Sequence, residues 1–169
     1  MQIGTKSVLF GAHQFILHPL YVVAAWLKIY GRPNIRELVC IVIHDWGYIG
    51  CPNIDGAKGV KHPEFGGKIA GALFGNKYRD MVLYHSHTYA NMYNKKESYL
   101  CWADKYSFVF EYSKCYLWRT KLTDELEEYM QNWKVFSGEE NITDIQWFLT
   151  MRYRILRRVE ISTGIKLVD

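Results

Sequence analysis

Apolar residues recur along this chain in runs that read as helices throughout. Leu20, Val22, Val23, Ala24, Ala25 and Leu27 follow His18 in one such run, and Gly31-Arg32-Pro33 supplies the turn chemistry that ends it. Asn34 with Glu37 three residues on resembles a capping box, which predicts a second helix over residues 35–46 closed by Gly47. Gly66, Gly67, Ala70, Gly71 and Ala72 form a small-residue face on a helix after His62, suited to close approach by a neighbour. Met81, Val82 and Tyr84 put His85 at the end of a further helical run. Two more helices are predicted over 117–136 and 143–159, the second opened by the pair Thr143 and Gln146. On that last helix Phe148, Met151, Ile155 and Val159 make an apolar stripe, and Arg154, Arg157 and Arg158 read as a solvated face. The fold class is therefore all-α, a compact bundle with two additional C-terminal helices.

Composition narrows this picture. With 169 residues, 49% of them apolar, the chain can bury a full core, and its length predicts one domain over 1–169. The longest apolar stretch, 15–29, contains His18, Pro19 and Lys28 and is too short and interrupted for a membrane span. The first residues lack the ordered regions of a signal peptide, so a cytoplasmic location is expected. Cys40, Cys51, Cys101 and Cys115 show no C-x-x-C spacing, which argues against disulfides and a structural zinc site. Residues 1–113 carry 12 Lys or Arg against 8 Asp or Glu, while 114–169 carry 9 against 9. The surplus on the first part suits an anionic small-molecule substrate; nucleic acid and membrane are not expected as partners, and homo-oligomers are left open.

The chemistry lies in the histidines. Only six occur, and five fall in one series with two aspartates: His18, His44-Asp45, His62, His85 or His87, and Asp104. Neutral imidazole and carboxylate are ligands for hard or borderline divalent cations. His18 lies roughly 18 Å before the end of the first helix and His44 roughly 15 Å beyond the start of the second, so an antiparallel hairpin brings them level. Asp45 is about 100° further round and can approach the same ion from an adjacent direction. Asp104 sits among Leu100, Cys101, Ser107 and Phe108 on a helical surface, where a carboxylate needs a cation or a full set of donors. His85 and His87, about 200° apart on a helix, would not both bind, and His85 is favoured. His13, in the approach to a helix, is read as an ordinary core or surface residue.

His18, His44-Asp45, Pro63-Glu64-Phe65-Gly66 after His62, and Ala103-Asp104-Lys105-Tyr106-Ser107 resemble the HD-domain superfamily of metal-dependent phosphohydrolases over roughly residues 15–112. The resemblance implies an HD-type bundle that binds one or two divalent ions (Mn, Fe, Co, Ni, Mg or Zn) through His18, His44, Asp45, His62, His85 and Asp104. Asp45 would bridge two metals. The implied reaction is hydrolysis of a phosphate ester, of a nucleotide or nucleotide-like molecule, by a metal-activated water.

Two departures qualify the resemblance. Many hydrolytic members carry a phosphate-binding Lys shortly after the dipeptide, where this chain has Trp46-Gly47-Tyr48; Lys61 and Lys105 are the alternative cations. The Gly-Tyr-Pro signature of the cyclic-dinucleotide-cleaving branch is absent after His87. The Gly-rich segment 47–61, with Pro52, is the expected substrate-facing loop. Two other readings accompany the hydrolase: an HD-type di-iron oxygenase on the same ligands, and a catalytically silent nucleotide-binding module.

Overall fold

The computed structural model describes residues 1–167. Among them are ten α-helices and no strand: α1 (Ile3–Phe10), α2 (Leu17–Tyr30), α3 (Ile35–Ile43), α4 (Pro63–Phe74), α5 (Asn76–Leu83), α6 (His87–Met92), α7 (Tyr99–Ser107), α8 (Ser113–Leu122), α9 (Glu125–Ser137) and α10 (Asp144–Thr163). Short 3-10 turns cover Trp46–Tyr48, Gly59–Lys61 and Phe108–Phe110.

The predicted helix ends have the expected local chemistry. Asn34 Oδ1 accepts from the N–H groups of Arg36 and Glu37, and Glu37 accepts in return from the N–H of Asn34. Thr143 and Gln146 form the matching reciprocal pair at α10. Gly31, at φ 81°, takes the left-handed backbone that stops α2, which a side chain would strain.

Three elements depart from expectation. Residues 117–136 are two helices, because Asp124 adopts a left-handed φ of 67° and the Oγ1 of Thr123 bonds back to the carbonyls of Arg119 and Thr120. The C-terminal part therefore holds three helices. The helix over 35–46 ends at Ile43, with His44 as its cap. Gly47 explains the early turn: its backbone lies against His62, whose carbonyl oxygen would be 1.9 Å from any Cβ added there. The chain bends into that contact instead of continuing as a helix. Finally, α1 had no counterpart in the sequence reading; it packs on the Trp46–Tyr48 turn and α8.

Two main cores result. Val22, Ala25 and Trp26 of α2, Ile41 of α3, Val82 of α5 and Leu100 of α7 belong to the first. Tyr116, Leu126, Trp133 and Phe148 build the second between α8, α9 and α10. Helix α10 contributes to both, with Val159 in the first and Phe148 in the second. The small-residue face of α4 acts as predicted. Gly66 lies against the Ile43 carbonyl and the Val82 side chain, and Gly67 against Leu83, so α4 and α5 approach closely. That approach brings the starts and ends of these helices, which carry His62 and His85, to one place.

Candidate metal centre

Three imidazoles are aimed by the same local device. The Nδ1 of His44 lies 2.6 Å from the carbonyl of Ile41, that of His62 2.7 Å from Gly59, and that of His85 2.5 Å from Val82. Each is the carbonyl three residues earlier, near the end of a helix or 3-10 turn; those of Gly59 and Val82 also accept the backbone N–H of the same histidine, at 2.9 and 3.4 Å. A carbonyl can only accept, so each Nδ1 carries a proton and each ring, when neutral, presents the Nε2 lone pair inward.

Those nitrogens converge on Asp45 in two sets. His18 and His44 have their Nε2 atoms 3.2 Å apart and lie 3.3 and 3.2 Å from Asp45 Oδ2. Asp104 Oδ1 joins them at 3.0 Å from His18 and 3.6 Å from His44. On the other side, His62 and His85 have Nε2 atoms 3.0 Å apart and lie 3.4 and 3.2 Å from Asp45 Oδ1. Within each set one donor atom per residue lies within 4.8 Å of the others. The six expected ligands are thus together, divided four and three with Asp45 common to both.

The donor set fits a divalent ion better than it fits itself. Asp45 is 6% exposed, and its Oδ2 makes no well-aligned hydrogen bond: only the Nε2 atoms of His18 and His44 face it, at 3.3 and 3.2 Å. A buried carboxylate oxygen in that setting is costly unless a cation, a metal ion or a protonated imidazole, meets it. Two facing imidazole lone pairs at 3.0 Å likewise need a cation between them.

Without metal, protons hold together the side of the cluster formed by His18, His44, Asp45 and Asp104. Burial opposes charge on His18, yet hydrogen bonds with Asp104 and Asp45 outweigh it and raise the imidazole to about 9. His44 rises for the same reasons, burial again opposing the pull of Asp45 and Asp104. Burial would raise both aspartates, but the facing imidazoles hold Asp45 and Asp104 well below the usual carboxylate range. His62 moves the other way: burial dominates and lowers it to about 4.

The remaining sequence candidates separate. His87 lies outside the cluster, bonded through Nδ1 to Glu97, with Arg158 packed against its ring nitrogens. Tyr48, which follows the His44-Asp45 pair where the resemblance would place a phosphate-binding Lys, is buried and stacks on the His62 ring at 3.9 Å between centroids, fixing the plane of that imidazole. Lys61 is exposed on the turn before His62. Lys105 is half-buried and has no ion-pair partner among the described residues. It lines a chamber of about 130 Å³ with His18, Asp104, His13 and Glu111.

That chamber adjoins a larger cavity of about 530 Å³, and Lys105, Tyr129 and Ile155 line both. Arg154 and Arg158 line the larger one, so two of the three arginines read as a solvated face border a cavity while Arg157 pairs with Glu160 on the surface. Asp55, from the 47–61 segment, is in its wall too. The N–H groups of Ile54 and Asp55 both donate to the Glu128 carboxylate, which pins that loop to α9.

The sequence reading passed over one buried network. Glu125, fully buried, accepts from Ser7 Oγ at 2.6 Å, the N–H of Ala12 at 3.0 Å, Thr123 Oγ1 at 2.5 Å and Tyr129 at 3.2 Å. His13 lies 3.4 Å away and bonds Ser7, with its ring 5.8 Å from that of His18. These groups are up to 118 residues apart in the chain, and no spacing rule joins them.

No family model, no curated protein and no solved structure matches this chain.

Proposed function

We propose that this protein is a metal-dependent phosphohydrolase of the HD type, acting on a phosphate ester of an anionic small molecule. One observation carries the reading: the two oxygens of Asp45 face two separate imidazole sets. Imidazole with carboxylate suits ions such as Mn, Fe, Co or Zn, held by His18, His44, Asp45 and Asp104 on one side and by Asp45, His62 and His85 on the other. Ions in such a pair supply a nucleophile from water near neutral pH and neutralise phosphate oxygens.

The chain's own residues supply the rest. The backbone carbonyls of Ile41, Gly59 and Val82 fix the tautomers of three ligands, so the nitrogens need no rearrangement on binding. Lys105 follows Asp104 directly and puts an unpaired cation in the wall of the small chamber, where it can hold a phosphate oxygen. Phe108, Tyr116 and Ile155 line the same chamber and limit bulk water, which strengthens every electrostatic contact inside.

Protein purified without chelators should contain metal and release phosphate from at least one ester in a panel of nucleotides and sugar phosphates. Chelation and Asp45→Ala should each abolish release. No release from any ester with Mn, Fe, Co, Ni, Mg or Zn would overturn the reading, and a visible absorbance band with oxygen uptake would identify the di-iron oxygenase instead.

A further inference from the structure

We infer that the outer face of α2, with the turn that leads into it, is a self-docking surface through which two copies of this chain pair as an antiparallel dimer. The inference is independent of the phosphohydrolase reading. It starts from a gap in the charge pattern: between Lys6 and Lys28 the chain contains no Asp, Glu, Lys or Arg. The two histidines of that stretch turn inward, His18 to the metal centre and His13 to Ser7 and Glu125. What the stretch shows to solvent is apolar. Phe10, Phe15, Ile16, Leu17, Leu20 and Leu27 are all exposed, Leu20 by 60%. The N–H of Phe15 donates to the carbonyl of Val8 at 3.0 Å, which holds the turn against the end of α1 that carries Phe10. Exposed apolar side chains elsewhere lack this setting: Tyr153 and Ile161 on α10 stand among Arg152, Arg154 and Arg157.

The spacing on α2 says what fits this face. Leu17, Leu20, Ala24 and Leu27 follow one another at intervals of three, four and three residues, the seam spacing of a coiled coil, and so share one stripe of the helix. A second copy of the same helix supplies the matching stripe. In an antiparallel pair with its two-fold axis level with Val22, Leu17 meets Leu27 of the second copy and Leu20 meets Ala24 of the second copy, so a large residue faces a small one at the centre. The two Lys28 then lie ~18 Å apart along the axis, at a rise of about 1.5 Å per residue. A parallel pair would set those like charges side by side and oppose Ala24 to itself, leaving a void in the seam.

The area agrees. The exposed fractions of the six side chains add to about three whole residues, or roughly 450–600 Å² at ~150–200 Å² each. A standard interface takes about 800 Å² from each partner, about 65% of it apolar in homodimers, so this face holds the apolar surface that such an interface needs. A lipid surface fits less well. Helices that lie on anionic membranes set rows of Lys and Arg beside their apolar side, whereas only Lys6 and Lys28 flank this stretch and Lys6 is paired with Asp124. None of the six residues lines the metal chamber or the larger cavity, so pairing through them leaves both open.

Sedimentation velocity and light scattering on the metal-loaded full chain test this, with a reductant present so that exposed Cys115 forms no cross-link. The chain should be a dimer at about 20 μM. Leu20→Arg and Leu27→Arg, at exposed positions with room for a longer side chain, should each weaken dimerisation ten-fold or more with helix content and metal content unchanged. Leu17→Lys combined with Leu27→Glu should dimerise more tightly than either change alone, because the antiparallel register sets those two positions opposite each other; a double variant weaker than both would overturn that register. A wild-type chain still monomeric at about 200 μM would overturn the inference, as would a dimer that survives both arginine variants. A monomer that binds vesicles of phosphatidylcholine and phosphatidylserine would overturn it too, and assign the face to a lipid surface.

Discussion

The Nε2 atoms of His62 and His85 lie 3.0 Å apart, with the opposite nitrogen of each ring engaged by a backbone carbonyl. Two inward lone pairs this close repel unless a cation lies between them. Burial lowers His62 to about 4, so at neutral pH this imidazole is uncharged and offers its lone pair to a cation.

Two ions per chain are therefore expected under metal-replete conditions, measured by elemental analysis. His62→Ala should reduce the count to one, because the other set keeps its four ligands. Saturation at one ion in both proteins would leave a mononuclear centre.

Metal uptake by the His18 set should release protons. The metal-free His18 is raised to about 9 and so carries a proton at pH 7.5, which an ion must displace. Apparent affinity should rise with pH up to about 9 and then level off. Calorimetry in buffers of different ionisation enthalpy reads the proton count; a count of zero at pH 7.5 would contradict the assignment. In stability terms, a raised imidazole stabilises the metal-free fold below its ordinary value of 6.5, and that contribution is lost as pH climbs through about 9.

Lys105→Met should lower turnover by roughly 10–1000-fold with metal content intact, the scale for losing one electrostatic stabiliser of a transition state. Lys61→Met, on an exposed turn, should change turnover less than about two-fold. Equal effects in a steady-state assay would show that cavity position does not distinguish the two lysines.

Gly47→Ala should cost about 1–3 kcal/mol of stability, the usual range for overpacking. The added methyl would meet the backbone of His62, not a flexible side chain, so His62 must shift and the second ion should be lost. Urea melts and metal analysis together check this; wild-type values in both would mean the turn can relax.

Glu125→Gln should destabilise by about 1–3 kcal/mol, since an amide nitrogen cannot accept the donors now held by the carboxylate. Urea unfolding of the metal-free variant measures the loss independently of the metal centre.

Much of this architecture is local and could be read from residues close together in the chain. The capping pairs Asn34/Glu37 and Thr143/Gln146, the stop at Gly31 and the small face of α4 each depend on side chains within a few residues, whose preferences need no tertiary partner. The His and Asp residues of the candidate metal centre were legible for a related reason. Few histidines occur, they are spaced at helix ends, and the hairpin of α2 and α3 fixes the register of His18 against His44 from rise per residue alone. Tertiary structure decided what depends on long-range convergence. It separated His85 from His87 by giving the second to Glu97 and Arg158, and put Lys105 in a chamber wall with Lys61 on an exposed turn. It also broke 117–136 at Asp124 and gathered Ser7, Ala12, Thr123 and Tyr129 around Glu125. A buried carboxylate collects donors wherever the packed helices bring them, and a cavity is the space the helices leave between them. Neither has a period or a spacing that the linear sequence can carry.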